Sequence, residues 1–119
     1  MKIFALVLTY NSGKFIKNVL DTIPKNTFDK IICSDDGSSD QTINIIQNEN
    51  ITLVRNNHGG YGSNLFSGLQ KCFDEGASHV VEVFGDVRIE SEGTLGGACR
   101  FFASTIRNAR SAIAKASGT

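Results

Sequence analysis

Along this chain of 119 residues, short runs of unbroken apolar positions alternate with stretches where apolar residues recur at helical spacing. Ile3 to Leu8 is continuously apolar and partly β-branched, which suits a strand buried on both faces. Polar Thr9-Tyr10-Asn11 follows. Phe15, Ile16, Val19, Leu20 and Ile23 then fall on one face of a helix expected over 13–23, capped by Ser12 and stopped by Pro24. Lys30 to Ser34 reads as a second strand that ends at the paired acids Asp35-Asp36. A second helix, capped by Ser38 or Ser39, carries Ile43 and Ile46, and Ile51 to Val54 forms a third strand. The polar, glycine-rich segment 55–64 opens a third helix with Leu65, Phe66, Leu69, Cys72 and Phe73 on one side, and Gly76 is placed to end it. His79 to Phe84 is a fourth apolar strand, followed by Gly85-Asp86.

Strands alternating with helices in this way predict an α/β fold, a doubly wound and mostly parallel sheet of about four strands with flanking helices. Right-handed crossovers bring the carboxyl ends of all strands to one edge, where such sheets bind ligands. Tyr10-Asn11, Asp35-Asp36, the loop 57–64 and Asp86 would converge there. Beyond Asp86 the pattern breaks into the charged stretch 87–93. A helical period returns from Ala98 to Ala116, with Phe102, Ile106, Ala109 and Ile113 on one face and Arg100, Arg107 and Lys115 on the other. The expected organisation is therefore a ligand-binding domain over 1–92 and an extra C-terminal amphipathic basic helix within 93–119, packed on that domain or on a partner subunit in a homo-oligomer.

Charge changes this picture little. Twelve basic and twelve acidic residues cancel, so no global field draws nucleic acid or an anionic membrane. The four bases and absent acids of 94–119 make a weak case for nucleic acid. No apolar run is long enough to span a bilayer, membrane association is not indicated, and the start of the chain reads as a buried strand rather than a signal peptide. Three widely spaced cysteines, Cys33, Cys72 and Cys99, fit reduced thiols, so a cytoplasmic location is expected.

The candidate chemistry sits at the strand ends. Asp35-Asp36 can accept hydrogen bonds from a nucleobase and a ribose, or help hold a metal; an Asp-Gly-Ser-Ser strand-to-helix turn accounts for the same residues equally well. Asp86 is either a turn residue or one of the one or two carboxylates that a hard divalent cation shared with a diphosphate takes from a protein. Gly59, Gly60 and Gly62 permit close backbone approach, but the loop is neither a phosphate-binding Gly-Lys-Ser/Thr loop nor a dinucleotide fingerprint. His58 and His79 lack metal-ligand spacing, and His58 reads as a solvated loop residue.

Taken together, four segments resemble the N-terminal half of a family 2 glycosyltransferase with the Rossmann-like GT-A fold. Leu8-Thr9-Tyr10-Asn11 is similar to the family's first-strand Pro-x-Tyr-Asn-Glu segment, and Asp35-Asp36-Gly37-Ser38-Ser39-Asp40 to its Asp-Asp-Gly-Ser-x-Asp motif. Asn57 to Gly62 resembles its Asn-x-Gly-x-Gly loop, and Val80 to Asp86 the strand leading into its Asp-x-Asp metal motif. The resemblance implies a nucleotide-diphosphate sugar, UDP- or GDP-linked, as partner and hexosyl transfer, usually inverting, as reaction. It implies Thr9, Tyr10, Asn11, Asp35, Asp36, Gly60 and Gly62 as nucleotide-binding residues and Asp86 as ligand of Mg²⁺ or Mn²⁺. The chain departs from the family at Ser12, where Glu is frequent, and at Phe84, where an acid or histidine precedes the last Asp by two positions. Nothing after Asp86 resembles the family's second half, which supplies acceptor site and catalytic base. The expectation is accordingly a truncated transferase, incomplete as a catalyst, with a non-catalytic nucleotide- or nucleotide-sugar-binding module as the alternative.

Overall fold

The computed structural model of the chain describes residues 1–24 and 26–85. In order these form β1 (Ile3–Thr9), α1 (Ile16–Thr22), β2 (Lys30–Asp35), α2 (Thr42–Gln47), β3 (Thr52–Arg55), α3 (Tyr61–Asp74) and β4 (His79–Phe84). The four strands make one parallel sheet in the order β3-β2-β1-β4. The parallel α/β expectation holds. Asp86, the 92/93 division and the helix expected over 98–116 lie outside the described residues.

The side-chain period of two sorts β1 between two cores. Phe4, Leu6 and Leu8 face α3, packing with Ile32, Leu69, Cys72, Ala77 and Val80. Val7 faces α1 and α2, packing with Ile16, Val19, Leu20, Cys33, Ile46 and Val83. Burial on both faces is why these strands read as unbroken apolar runs. Helix α3 lies unusually close to the sheet at Gly68. A Cβ there would meet Leu6 Cδ1 at 2.6 Å and Ser34 Cβ at 2.9 Å. A glycine inside a helix costs about 1 kcal/mol of propensity, and this close approach is what it permits. The helix ends as Gly76 suggests. With φ at 100°, Gly76 donates its N–H to Phe73 O and Ala77 donates to Cys72 O, the paired bonds of a Schellman motif.

Two capping expectations are corrected. Helix α1 starts at Ile16 rather than at 13, and Ser12 contributes its carbonyl, which accepts the Phe15 and Ile16 N–H groups at 2.9 Å each. The Ser12 hydroxyl instead accepts the Tyr10 N–H at 3.2 Å. For α2 neither Ser38 nor Ser39 caps. The Asp40 carboxylate accepts the Thr42 N–H at 2.9 Å and its hydroxyl, because the Ser38 hydroxyl is already committed to Asp35.

The sheet order fixes where a ligand would sit. The chain steps from β1 outward to β2 and β3, then crosses to β4 on the other side of β1. The order reverses between β1 and β4, and a crevice opens at such a switch point beyond the strand carboxyl ends.

Candidate functional site

Two clefts of about 310 Å³ each indent the described surface. One, lined by Leu20, Phe28, Asp29 and Ile51 among others, lies at the start of β2 and β3, away from the strand carboxyl ends. The other is lined by Leu8, Thr9, Tyr10, Ser12, Asp36, His58, Gly60, Tyr61, Asn64 and Phe84. It occupies the β1/β4 switch point. Size does not separate the two clefts; position in the sheet and convergence of polar groups do.

The adjacent acids of β2 diverge because successive strand residues point to opposite faces. Asp35 is fully buried on the side of α1 and α2 and accepts four hydrogen bonds. Thr9 Oγ1 and Ser38 Oγ each donate to Oδ1 at 2.6 Å, and the Gly37 and Ser38 N–H groups donate to Oδ2 at 3.0 and 2.8 Å. It shapes the turn, and its oxygens are turned away from the cleft's lining. Asp36 lies on the α3 side, 4% exposed, and lines the cleft. Its Oδ1 accepts the Gly59 N–H at 2.9 Å, and its Oδ2 accepts the Gly60 N–H at 3.1 Å and faces His58 Nδ1 at 3.2 Å. It therefore holds the β3–α3 loop shut against the sheet.

That closure needs Gly37. Its φ is 90°, and a Cβ would meet His58 N at 3.1 Å and Asn56 O at 3.2 Å. Beneath the loop, Asn64 and Asn56 bind Ser34. Ser34 Oγ donates to Asn64, Asn56 Nδ2 donates to Asn64 Oδ1 at 2.9 Å, and Asn64 Nδ2 donates to Ser34 O at 3.0 Å. These bonds join β2, the loop and the first turn of α3 into one rigid floor.

Two aromatic pairs border the cleft. Tyr10 stacks on His58 with ring centroids 4.5 Å apart and an interplanar angle of 21°. Tyr61 packs on Phe84 at 6.0 Å and 27°. The Tyr61 hydroxyl donates to Glu82 Oε1 at 2.6 Å. Glu82 is buried, and burial raises its carboxyl pKa, with the Tyr61 hydrogen bond opposing. Burial, and then the neighbouring carboxylate, push the Tyr61 phenol up to about 12. Burial likewise pushes the Cys33 thiol up to about 12, so it is inert as a nucleophile.

Of the nucleotide-binding expectations, Thr9, Tyr10, Asp36 and Gly60 come together at the cleft. The Thr9 hydroxyl and the Gly60 N–H are already bonded to Asp35 and Asp36. Asp35, Asn11 and Gly62 are not among the lining residues. Asn11, at φ 49°, accepts the Ser39 N–H on its Oδ1 at 2.8 Å and donates its own N–H to the Ser38 hydroxyl at 2.8 Å, clamping the β2–α2 loop. His58, Tyr61 and Asn64 come from the loop 57–64 that the pattern brings to this edge without marking them individually, and Glu82 is not marked at all. Glu82 left a trace, an acid inside an apolar strand run.

Among the described residues no group of three or more His, Cys, Asp or Glu side chains stands together as a metal cage. The Asp36 and Glu82 carboxylates are engaged by backbone amides and by Tyr61. The described residues alone do not present a cation site, and Asp86 lies beyond them. Among them, too, no helix is long and apolar enough to cross a membrane.

The chain is similar to known proteins in sequence and in fold. UDP-N-acetylglucosamine--dolichyl-phosphate N-acetylglucosaminyltransferase of Methanococcus voltae is 30% identical over 102 residues, covering 71% of this chain and 41% of the relative. O-antigen chain rhamnosyltransferase RfbN of Salmonella typhimurium is 40% identical over 68 residues, covering 50% of the chain and 22% of the relative. The chain thus spans less than half the length of either relative. The crystal structure of Staphylococcus aureus TarS 1-349 in complex with UDP-GlcNAc superposes with a TM-score of 0.63 at 30% identity, over 86% of this chain and 31% of that one. Glucosyl-3-phosphoglycerate synthase from Mycobacterium tuberculosis, crystallised with Mn²⁺, UDP and glucosyl-3-phosphoglycerate, shares the fold with a TM-score of 0.68 at 20% identity, over 80% of this chain and 37% of that one. The model for "Glycosyl transferase family 2" matches residues 5–81, more than half of the chain, and with the parallel sheet and its switch-point cleft this places the chain in the family 2 glycosyltransferases.

Proposed function

We propose that the chain forms the donor side of a glycosyltransferase and binds a UDP-linked sugar in the switch-point cleft for hexosyl transfer to an acceptor hydroxyl. The observation that carries this reading is Asp36. A carboxylate 4% exposed is held by two backbone N–H groups at the rim of a cleft bordered by aromatic rings. Its Oδ1 accepts a single described bond, leaving acceptor capacity for an imide N–H of the kind uracil carries. Tyr10, 46% exposed and stacked on His58, offers a ring face to the base. Thr9 lines the cleft and bonds Asp35, while Asp35 and Asn11 support the site from behind or beside it, Asp35 by fixing the turn and Asn11 by clamping the neighbouring loop.

The UDP-GlcNAc complex of TarS and the UDP-N-acetylglucosamine donor in the name of the Methanococcus voltae relative support a UDP-sugar. Asp86, one residue past the Gly85 whose N–H bonds Leu8 O at 2.8 Å, is assigned as the carboxylate that meets Mg²⁺ or Mn²⁺. Such an ion, when bound, neutralises charge on a departing diphosphate. The chain's own contribution is to orient the nucleotide and exclude water along the aromatic walls.

Differential scanning fluorimetry with UDP and UDP-GlcNAc, with and without Mn²⁺, tests this. A ligand at 100 times its Kd stabilises the native state by about 2.7 kcal/mol. A rise in Tm with UDP, larger when Mn²⁺ is present, is expected. No shift with either nucleotide would refute the assignment.

A further inference from the structure

The two aromatic pairs of the cleft are held by different means. His58 ties the Tyr10 pair to Asp36, whereas the phenol of Tyr61 ties the second pair to Glu82. Glu82 is an unusual occupant of its position. It lies on β4, at the edge of the described sheet, opposite Leu6 and on the face that packs against α3, and is 2% exposed. Removing a carboxylate from water costs folding free energy unless it is bonded. The amino-terminal end of the fourteen-residue α3 adds a partial positive charge beside it, and Tyr61 supplies the hydrogen bond. Tyr61 itself is 55% exposed, so the bond does not serve to bury its ring. What it does is fix the direction of a ring that would otherwise exchange rotamers freely.

We propose that Glu82 is a positioning residue whose buried carboxyl locks Tyr61 in place, so that Tyr61 and Phe84 form a rigid aromatic wall for the planar base of a nucleoside diphosphate. The inference rests on the nucleotide reading of the same cleft and adds to it a residue to which the resemblance assigns no role. Fixing the wall before the ligand arrives removes an ordering cost from binding.

The chain has two tyrosines and no tryptophan, so in a Tyr10→Phe background tyrosine emission reports Tyr61 alone. A phenol bonded to a carboxylate is quenched, and Glu82→Leu should brighten that emission without ligand. In isothermal titration with UDP, Glu82→Leu should weaken binding about 10-fold by loosening the wall. Glu82→Gln, which keeps an acceptor for the phenol, should recover most of the loss. Tyr61→Phe deletes one hydroxyl at an exposed helix start and leaves the buried Glu82 carboxyl without that bond, so its fold is checked by circular dichroism, and Glu82→Leu carries the test if it unfolds. Tyr61→Phe should reproduce the Glu82→Leu affinity, and the double variant should be no weaker than either single one. Unchanged emission in Glu82→Leu overturns the anchor. Brighter emission with undiminished UDP affinity overturns the positioning role. A wild-type protein that fails to bind UDP overturns the nucleotide reading, an outcome distinct from failure of the variants.

Discussion

Replacing Asp36 with asparagine should open the β3–α3 loop while leaving the sheet intact. The aspartate accepts the Gly59 N–H at 2.9 Å and the Gly60 N–H at 3.1 Å, one on each oxygen. An asparagine retains one acceptor, and its NH₂ group must face the other backbone donor. One bond to a charged acceptor is lost, worth about 1.5–3 kcal/mol, and a buried N–H is left without a partner. The His58 contact adds little, since that side chain is 63% exposed. A loss of about 2 kcal/mol corresponds to roughly 30-fold easier opening. The effect is local because Asp36 follows β2 and belongs to neither apolar core. Native-state hydrogen exchange by NMR reads it directly: amide protection at Gly59 and Gly60 should fall about 30-fold, while Leu6 and Val7 amides are unchanged. Protection at Gly59 and Gly60 equal to wild type would refute the clamp.

Asp35→Asn should behave differently, destabilising the whole domain by about 3 kcal/mol in urea unfolding, because its NH₂ group replaces one oxygen and forfeits two of the four bonds at a fully buried carboxylate; a ΔΔG below ~1 kcal/mol would contradict the buried-turn role. Gly68→Ala should cost about 1–3 kcal/mol by overpacking against Leu6, despite alanine's better helix propensity, and a stabilised variant would show that α3 can shift outward. Burial raises the folded-state pKa of Glu82, so the native state holds a proton that the unfolded chain has released, and this group's contribution to stability falls as pH rises from the ordinary carboxylate range through the raised value. Glu82→Gln should therefore gain stability relative to wild type between pH 4.5 and pH 7.5 in paired urea titrations, and an identical difference at both pH values would exclude the shift.

The fold was legible because its strands are buried on both faces. Ile3 to Leu8 and His79 to Phe84 need no alternation to be read, and both stand where the pattern places them. Helix starts were less legible. Serines at 12, 38 and 39 all suit a cap, yet each hydroxyl or carbonyl is claimed by a partner far away or by a turn, which local propensity does not encode. Asp35 and Asp36 look alike in sequence and split by face in the sheet. The period of two would have separated them, since Asp36 shares parity with Ile32 and Ser34 on the α3 side. His58 and Tyr61 join the site through a loop closure that depends on Gly37, and nothing in their immediate neighbours announces it. Glu82 signalled itself by breaking an apolar run.

Titration of ¹⁵N-labelled protein with UDP, followed by two-dimensional NMR, tests the central claim most directly. Saturable shifts at Tyr10, Asp36, His58, Gly60 and Tyr61, abolished in Asp36→Ala, are the predicted result. Shifts confined to the opposite cleft around Leu20, Phe28 and Ile51, or none at all, would contradict it.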